Sequence, residues 1–127
     1  MKGNPERSEM DTSKEYIGMC RKAVEIQELW SPISGDVYYS QNVKIISIWT
    51  YSYPPHEDYN KIFTWLPRQD QLQDIVDNNL KRLCTGFCLF LKQTGDYDYN
   101  FTSMEQLWIA FVMHEKYGKK WDGKDWV

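Results

Sequence analysis

The sequence contains no apolar run that approaches the ~20 residues needed to span a membrane. Its first fourteen residues are polar and contain no apolar core of a signal peptide. It has only three cysteines, and an odd number without a secretion signal indicates reduced thiols. We therefore expect a cytoplasmic protein that does not associate with membranes.

Glycine and histidine are also sparse. The seven glycines are dispersed and form neither GxGxxG nor GxxxxGK[ST], so nucleotide binding through these motifs is not expected. A structural zinc site needs four ligands, but only His56 and His114 could accompany the pair Cys84 and Cys88. The two cysteines are better interpreted as small buried apolar residues. We predict no metal and no cofactor.

An excess of positive charge is missing as well. Fifteen Lys and Arg stand against eighteen Asp and Glu, which gives a net charge of −3. Nucleic-acid binding depends on clustered cations that neutralise phosphates, so it is not favoured. The densest basic segment remains open as a local alternative, and its candidate residues are Lys116, Lys119, Lys120 and Trp121.

What the chain does have is aromatic side chains, 16% of all residues with six Trp and nine Tyr. Each can bury about 150–250 Å², so a few of them dominate a small core. A length of 127 residues suits one domain. We predict a disordered N-terminal arm over residues 1–11 and a single domain over residues 12–127.

Three helices are predicted from apolar periodicity and capping signals. The first begins at Thr12 or Ser13, and its apolar stripe consists of Tyr16, Met19, Cys20, Ala23, Ile26 and Trp30. The second begins at Pro67 and continues to about Leu83. The third follows Thr102-Ser103 and ends at Gly118, with an apolar centre over residues 107–113. Trp121 and Trp126 indicate that the tail packs back on the domain.

Strands are predicted where β-branched and aromatic residues concentrate: residues 37–39, 43–51, 62–65, 87–91 and, less clearly, 97–101. A hairpin turn over residues 40–42 connects the first two. The order α-β-β-β-α-β-(β)-α predicts a single α+β domain, with a mixed or antiparallel sheet of three to five short strands packed by about three helices.

No catalytic constellation is present, so we assign no catalytic residue. Histidine is a common general base, so His114 could act as one, but no partner or nucleophile can be named for it. A histidine placed favourably at a helix end is the simpler interpretation. Three carboxylate pairs are candidate acid/base pairs, but the sequence shows no cleft for them: Asp70 with Asp74, Asp96 with Asp98, and Asp122 with Asp125. The first pair is explained by a helix start and the third by a turn.

Two places remain as candidates for binding a ligand or a partner. Arg68, Gln69 and Gln71 lie at a helix start, where side chains and backbone N–H groups can bind carboxylates or phosphates. Tyr53 and Tyr59 flank a Pro-Pro-His segment that we expect to be an exposed loop. Aromatic side chains of this kind are enriched in binding hot spots.

Two segments, WLPRQDQL over residues 65–72 and MEQLWIAFVMHEKYGKKW over residues 104–121, resemble a family of small uncharacterised phage and prophage proteins of Gram-positive bacteria. The resemblance covers most of the chain after the N-terminal arm. It implies a phage-related setting in a bacterial host cytoplasm. It supplies no catalytic residues.

Three functions are compatible with these observations. The favoured hypothesis is a non-enzymatic interaction module with an unknown protein partner, which could also form homo-oligomers. The second is a small ligand-binding domain or enzyme that uses Arg68 and His114. The third is an accessory protein that recognises nucleic acid through the basic segment near the C-terminus.

Overall fold

The computed structural model describes residues 10–50, 59–94 and 101–127. Within them lie six helical segments and three strands. The helices are α1 (Lys14–Lys22), α2 (Val24–Gln27), α3 (Tyr59–Ile62), α4 (Gln69–Val76), α5 (Leu80–Thr94) and α6 (Met104–Tyr117); the strands are β1 (Val37–Ser40), β2 (Ile45–Ile48) and β3 (Phe63–Trp65). The predicted α+β class is confirmed, with an antiparallel three-stranded sheet. The strand predicted over 97–101 lies almost wholly outside the described residues.

The first helix begins where the sequence predicts, because the Ser13 hydroxyl accepts a hydrogen bond from the backbone N–H of Tyr16 at 3.2 Å. All six residues of the predicted apolar stripe are buried. The prediction of one continuous helix to Trp30 is wrong. Ala23 leaves the helical region at φ −87° and ψ 70°, so α1 ends and the single turn of α2 follows at a new angle.

The sheet has the strand order β2-β1-β3, so β2 and β3 are its two edges. The predicted hairpin between β1 and β2 is confirmed, with Tyr39 opposite Ile46. Tyr39 is also opposite Thr64 on β3. Cross-strand partners share a face, so these three residues lie on one face of the sheet. Helix α1 packs on the sheet through its contacts with β3.

The opposite face of the sheet holds an aromatic cluster. Tyr38 lies on this face, 4.8 Å from the ring of Phe63 and 5.5 Å from that of Trp49. Trp30 stacks on Trp65 with the ring centroids 6.2 Å apart. Many of the aromatic residues noted in the sequence therefore form one part of the core, in which Trp30, just after α2, packs against the sheet.

The helix predicted from Pro67 to Leu83 is two helices, because Asp77 and Asn79 interrupt it. Asp77 adopts an extended conformation, and the Asn79 side chain accepts from the backbone N–H of Arg82 at 3.0 Å, which begins a new turn. The strand predicted over residues 87–91 is wrong, since the whole segment belongs to α5.

Helical periodicity explains that correction. Leu83, Phe87 and Phe90, spaced four and three residues apart, face the core, and Phe87 stacks on Trp108 at 3.9 Å. The prediction that Cys84 and Cys88 are buried is also wrong, because both lie on the exposed side of α5.

Helix α6 is the centre of the core. As predicted, Ser103 caps its start by accepting from the N–H of Gln106 at 3.1 Å, and Gly118 ends it in the left-handed region at φ 64°. The prediction that the tail packs back is confirmed. Trp121 Nε1 donates to Glu15, and Trp126 Nε1 donates to the Met19 carbonyl, both on α1.

Asp11 ties the start of α1 to the start of α6. Its carboxylate accepts hydrogen bonds from Ser103 Oγ and from Gln106 Nε2. Partial burial alone would raise the pKa of Asp11, but these bonds and those from Ser13 outweigh it and lower the pKa. Residues 1–9 of the predicted arm lie outside the described residues.

Candidate partner-binding surface

The helix start at Arg68 is organised mainly by contacts within the fold. The Gln71 side chain accepts from the Arg68 backbone N–H at 2.9 Å and donates to Asp36 Oδ1 at 2.8 Å. The Arg68 guanidinium donates to Asp70 at 3.1 Å and to the Gly35 carbonyl at 3.5 Å. Arg68 and Gln71 do meet as predicted, but their polar groups join α4 to the turn before β1.

Asp36 is the residue that sequence reasoning missed here. It is 2% exposed, and its Oδ2 accepts from Trp30 Nε1 at 3.0 Å and from the Ile33 N–H at 3.1 Å. Together with Gln71, these bonds satisfy both oxygens of a buried carboxylate. The only signal in the sequence was its place in a Gly-Asp turn, which is common on protein surfaces.

His114 lies apart from Arg68. It is about half exposed in the last turn of α6, beside the ring of Phe90 and 3.9 Å from the Glu115 carboxylate. Among the residues that the structure describes, no hydrogen bond or ion pair links it to Arg68. The two residues proposed for a ligand site are therefore not brought together.

The remaining candidates of that set have different environments. Gln69 is the half-buried first residue of α4. Tyr59 is also half-buried, and its hydroxyl donates to the Trp30 carbonyl at 2.7 Å, so it contributes to the aromatic cluster. Tyr53 lies outside the described residues.

The basic segment near the C-terminus is partly neutralised. Lys119 forms an ion pair with Glu25 on α2, and this bond lowers the pKa of Glu25. Trp121 is buried against Trp126 with the ring centroids 5.0 Å apart, so it offers no open face to a base. Lys116 and Lys120 are exposed. Within residues 10–50, 59–94 and 101–127, no three His, Cys, Asp or Glu side chains cluster as metal ligands would.

Strand β2 carries the most exposed apolar side chains of the sheet. Ile45 is 54% and Ile48 61% exposed, and Val43 in the preceding turn is 63% exposed. Ile46 is also exposed. The sequence predicts a strand here but not an exposed apolar surface, because strand order cannot be read from the β-branched pattern alone.

The backbone of β2 also points its polar groups outward. The Trp49 N–H donates to the Asp36 carbonyl, which fixes the phase of the ladder between β1 and β2. Since inward and outward residues alternate, the N–H and C=O groups of Ile46 and Ile48 face away from β1. No described residue hydrogen-bonds to them. We call these groups, with the side chains of Ile45, Ile46 and Ile48, the open edge.

The other edge of the sheet is closed. The Gln27 side chain accepts from the Trp65 N–H at 2.8 Å and donates to the Trp65 carbonyl at 2.9 Å. These are the outward backbone groups of β3, so one amide side chain substitutes for a neighbouring strand. We call this the closed edge.

A groove of about 530 Å³ lies between α1 and the open edge. Its apolar lining includes Ile17 from α1, Tyr39 from β1 and Ile46 from β2. Its charged lining is entirely positive and consists of Lys14, Arg21 and Lys44. We call it the basic groove. None of its three cations has a carboxylate partner in the part of the chain that the structure describes.

Lys44 occupies an unfavourable backbone conformation. Its φ is +59°, in the left-handed region, and its N–H donates to the Ser40 carbonyl at 2.8 Å. Glycine or asparagine is the usual residue at such a hairpin position, and a lysine there costs about 1–2 kcal/mol. The positive charge at this end of the groove is thus present despite a conformational cost.

No family model, curated protein or solved structure matches the chain. No helix among the described residues is long and apolar enough to cross a membrane.

Proposed function

We propose that this protein is a non-enzymatic interaction module that binds an extended segment of a protein partner along the open edge. The observation that carries the proposal is the pair Ile46 and Ile48, which are exposed and whose backbone groups point away from β1. An added strand would satisfy the backbone groups and cover the apolar side chains at once.

The alternative functions have less support. A ligand site built from Arg68 and His114 would need the two side chains to converge, and each has its own separate neighbours. A nucleic-acid surface near the C-terminus would need free cations and an accessible Trp121, whereas Lys119 is paired and Trp121 is buried.

The resemblance of residues 65–72 and 104–121 to phage and prophage proteins supports a phage-related setting for this module. The partner would then be a phage or host protein in the cytoplasm of a bacterium. This setting predicts that genes neighbouring the coding sequence belong to a phage or a prophage. Sequencing the flanking DNA decides this point, and neighbours of purely housekeeping function would contradict it.

The binding proposal is tested with peptides selected from a displayed random library against the immobilised protein. We expect bound peptides to slow amide hydrogen exchange at Ile46 and Ile48, because their N–H groups become hydrogen-bonded. Ile48→Lys is expected to abolish this binding, whereas Leu80→Lys, a matched change at an exposed leucine of α5, leaves it intact. Protection confined to other residues, or equal binding by Ile48→Lys, would contradict the proposal.

A further inference from the structure

The basic groove gives the expected partner a chemical character. Resting on the proposed function, we propose that the segment bound at the open edge is an acidic polypeptide strand whose carboxylates are held by Lys14, Arg21 and Lys44. The whole chain carries a net charge of −3, so this local cluster of like charge is opposite in sign to the molecule as a whole.

The spacing of the cations suits a strand. Lys14 and Arg21 are seven residues apart on α1, which places them on one side of the helix about 10 Å apart. Same-face side chains of an extended strand repeat every ~6.8 Å. Since ~10 Å lies between one and two such repeats, carboxylates on the groove face of a strand along β2 would be presented to both basic side chains across the basic groove.

The apolar surfaces define the other half of the expected pattern. Ile46 lies on the face of the basic groove, whereas Ile45 is exposed on the opposite face of the same strand. Side chains of an added strand alternate between these two faces. A strand with acidic residues on one face and apolar residues on the other would complement the basic groove with the first and Ile45 with the second.

Charge also argues against two other occupants. A second copy paired through its own open edge would bring two sets of the same three cations together, and like charges at an interface oppose association. Nucleic acid could use the cations, and its phosphates could accept from N–H groups, but its backbone lacks the alternating donors and acceptors that would pair with both the N–H and the C=O groups of Ile46 and Ile48. An acidic peptide can pair with the backbone groups of the open edge, with the cations of the basic groove and with the apolar side chains.

The probe is a blocked, fluorescently labelled peptide of alternating Glu and Val, about eight residues long. Its matched control replaces each Glu by Gln, which keeps the shape and removes the charge. By fluorescence anisotropy at low salt, we expect the Glu peptide to bind roughly tenfold more tightly than the Gln peptide. The difference should shrink as salt is added, because exposed charges are screened.

Protein variants locate the charge effect. Each of Lys14→Gln, Arg21→Gln and Lys44→Gly is expected to weaken the Glu peptide roughly two- to fivefold and to leave the Gln peptide unchanged. The control removes three exposed lysines elsewhere, Lys81, Lys92 and Lys116, by the same change to Gln. Thermal unfolding of every variant, and amide exchange at Ile46 and Ile48, separate a lost contact from a lost fold.

The outcomes separate this inference from the proposed function. If both peptides protect Ile46 and Ile48 with equal affinity, the acidic character is overturned and the proposed function stands. If neither protects these amides, both fail. If a short single-stranded RNA competes with the Glu peptide and binds more tightly, the polypeptide class is overturned. A dimer in light scattering that Ile48→Lys dissociates would identify a second copy as the occupant and overturn the acidic partner.

Discussion

Both edges of the sheet carry outward-pointing backbone N–H and C=O groups, but the described residues hydrogen-bond these groups at one edge and not at the other. On β3, the amide of Gln27 bonds both outward groups of Trp65, and Trp30 stacks on the indole of the same residue. On β2, the equivalent groups of Ile46 and Ile48 have no hydrogen-bond partner among the described residues, and both residues are exposed. One edge is sealed by helix α2 and the other is left available.

This difference indicates function because unprotected edges carry a risk of aggregation. Proteins commonly protect them with charges, prolines or covering segments. Here the charges lie in the basic groove beside β2, where they repel a second copy and attract a segment of opposite charge.

Proline substitution tests which way the β2 backbone faces. Ser47→Pro removes an N–H that points toward β1, and we expect a loss of about 3 kcal/mol or more in unfolding free energy. Ile48→Pro removes an outward N–H, and we expect a loss below about 1 kcal/mol. Urea denaturation measures both. Equal losses would show that the assignment of inward and outward groups is wrong.

The closed edge is tested by Gln27→Glu. The variant keeps an acceptor for the Trp65 N–H but replaces the donor to the Trp65 carbonyl by a negative oxygen. We expect a loss of about 1–3 kcal/mol in unfolding free energy, since a buried carbonyl loses its partner. Gln73→Glu on α4 is the control, because the described residues give its side chain no hydrogen bond. Similar stability of the two variants would mean that Gln27 does not seal β3.

Lys44, at the end of the basic groove, is a position where we expect a substitution to raise the unfolding free energy. Lys44→Gly relieves the left-handed conformation, and we expect a gain of about 0.5–1 kcal/mol after the entropic cost of glycine. Lys44→Ala removes the same charge but retains the Cβ, so no gain is expected. Thermal unfolding compares the two. A destabilised glycine variant would contradict the conformational cost assigned to this lysine.

The smallest effect concerns the attachment of α2, which carries Gln27. The hydrogen bond from Lys119 lowers the pKa of Glu25 below its ordinary value. The stabilisation is therefore present above the unfolded-state pKa of about 4.3 and is lost as the pH falls through the lowered folded-state pKa. In Lys119→Met we expect unfolding to be easier by a few tenths of a kcal/mol at neutral pH.

The gap between Lys119→Met and the unchanged protein should close as the pH falls through the lowered folded-state pKa of Glu25, because Glu25 then becomes protonated. Urea midpoints measured from neutral to acidic pH give the comparison. Lys116→Met, which removes an exposed lysine from α6, controls for overall charge. A gap that widens toward low pH would assign the stabilisation to another group.

The core was largely predictable from the sequence, because its residues follow the periodicity of the elements that carry them. The stripe from Tyr16 to Trp30 is buried, and α6 begins and ends at its predicted caps. The segment over residues 87–91 failed because a short apolar run fits a buried strand and a buried helix equally well. Gly86, a residue typical of breaks between elements, lies inside α5, where its small size admits Phe111, 3.4 Å from where a Cβ would be.

The candidate surface could not be predicted for a different reason. Exposure of Ile45 and Ile48 depends on β2 being at an edge, and strand order is set by contacts between distant segments. Gln27 gave no signal, and Asp36 gave only its place in a Gly-Asp turn, since a lone glutamine or aspartate is usually solvated. Arg68 was identified as polar and well placed, but its partners Gly35 and Asp70 became visible only in the fold.

The tryptophans of the tail have a consequence for how the protein is made. Trp121 and Trp126 donate to Glu15 and Met19, which lie 106 and 107 residues earlier in the chain. Contacts over such separations are slow to form, because a long loop must close before they contribute. During synthesis, α1 emerges before the tail and remains without these partners until Trp126 has been added. One wall of the basic groove is therefore translated well before the contacts that secure it.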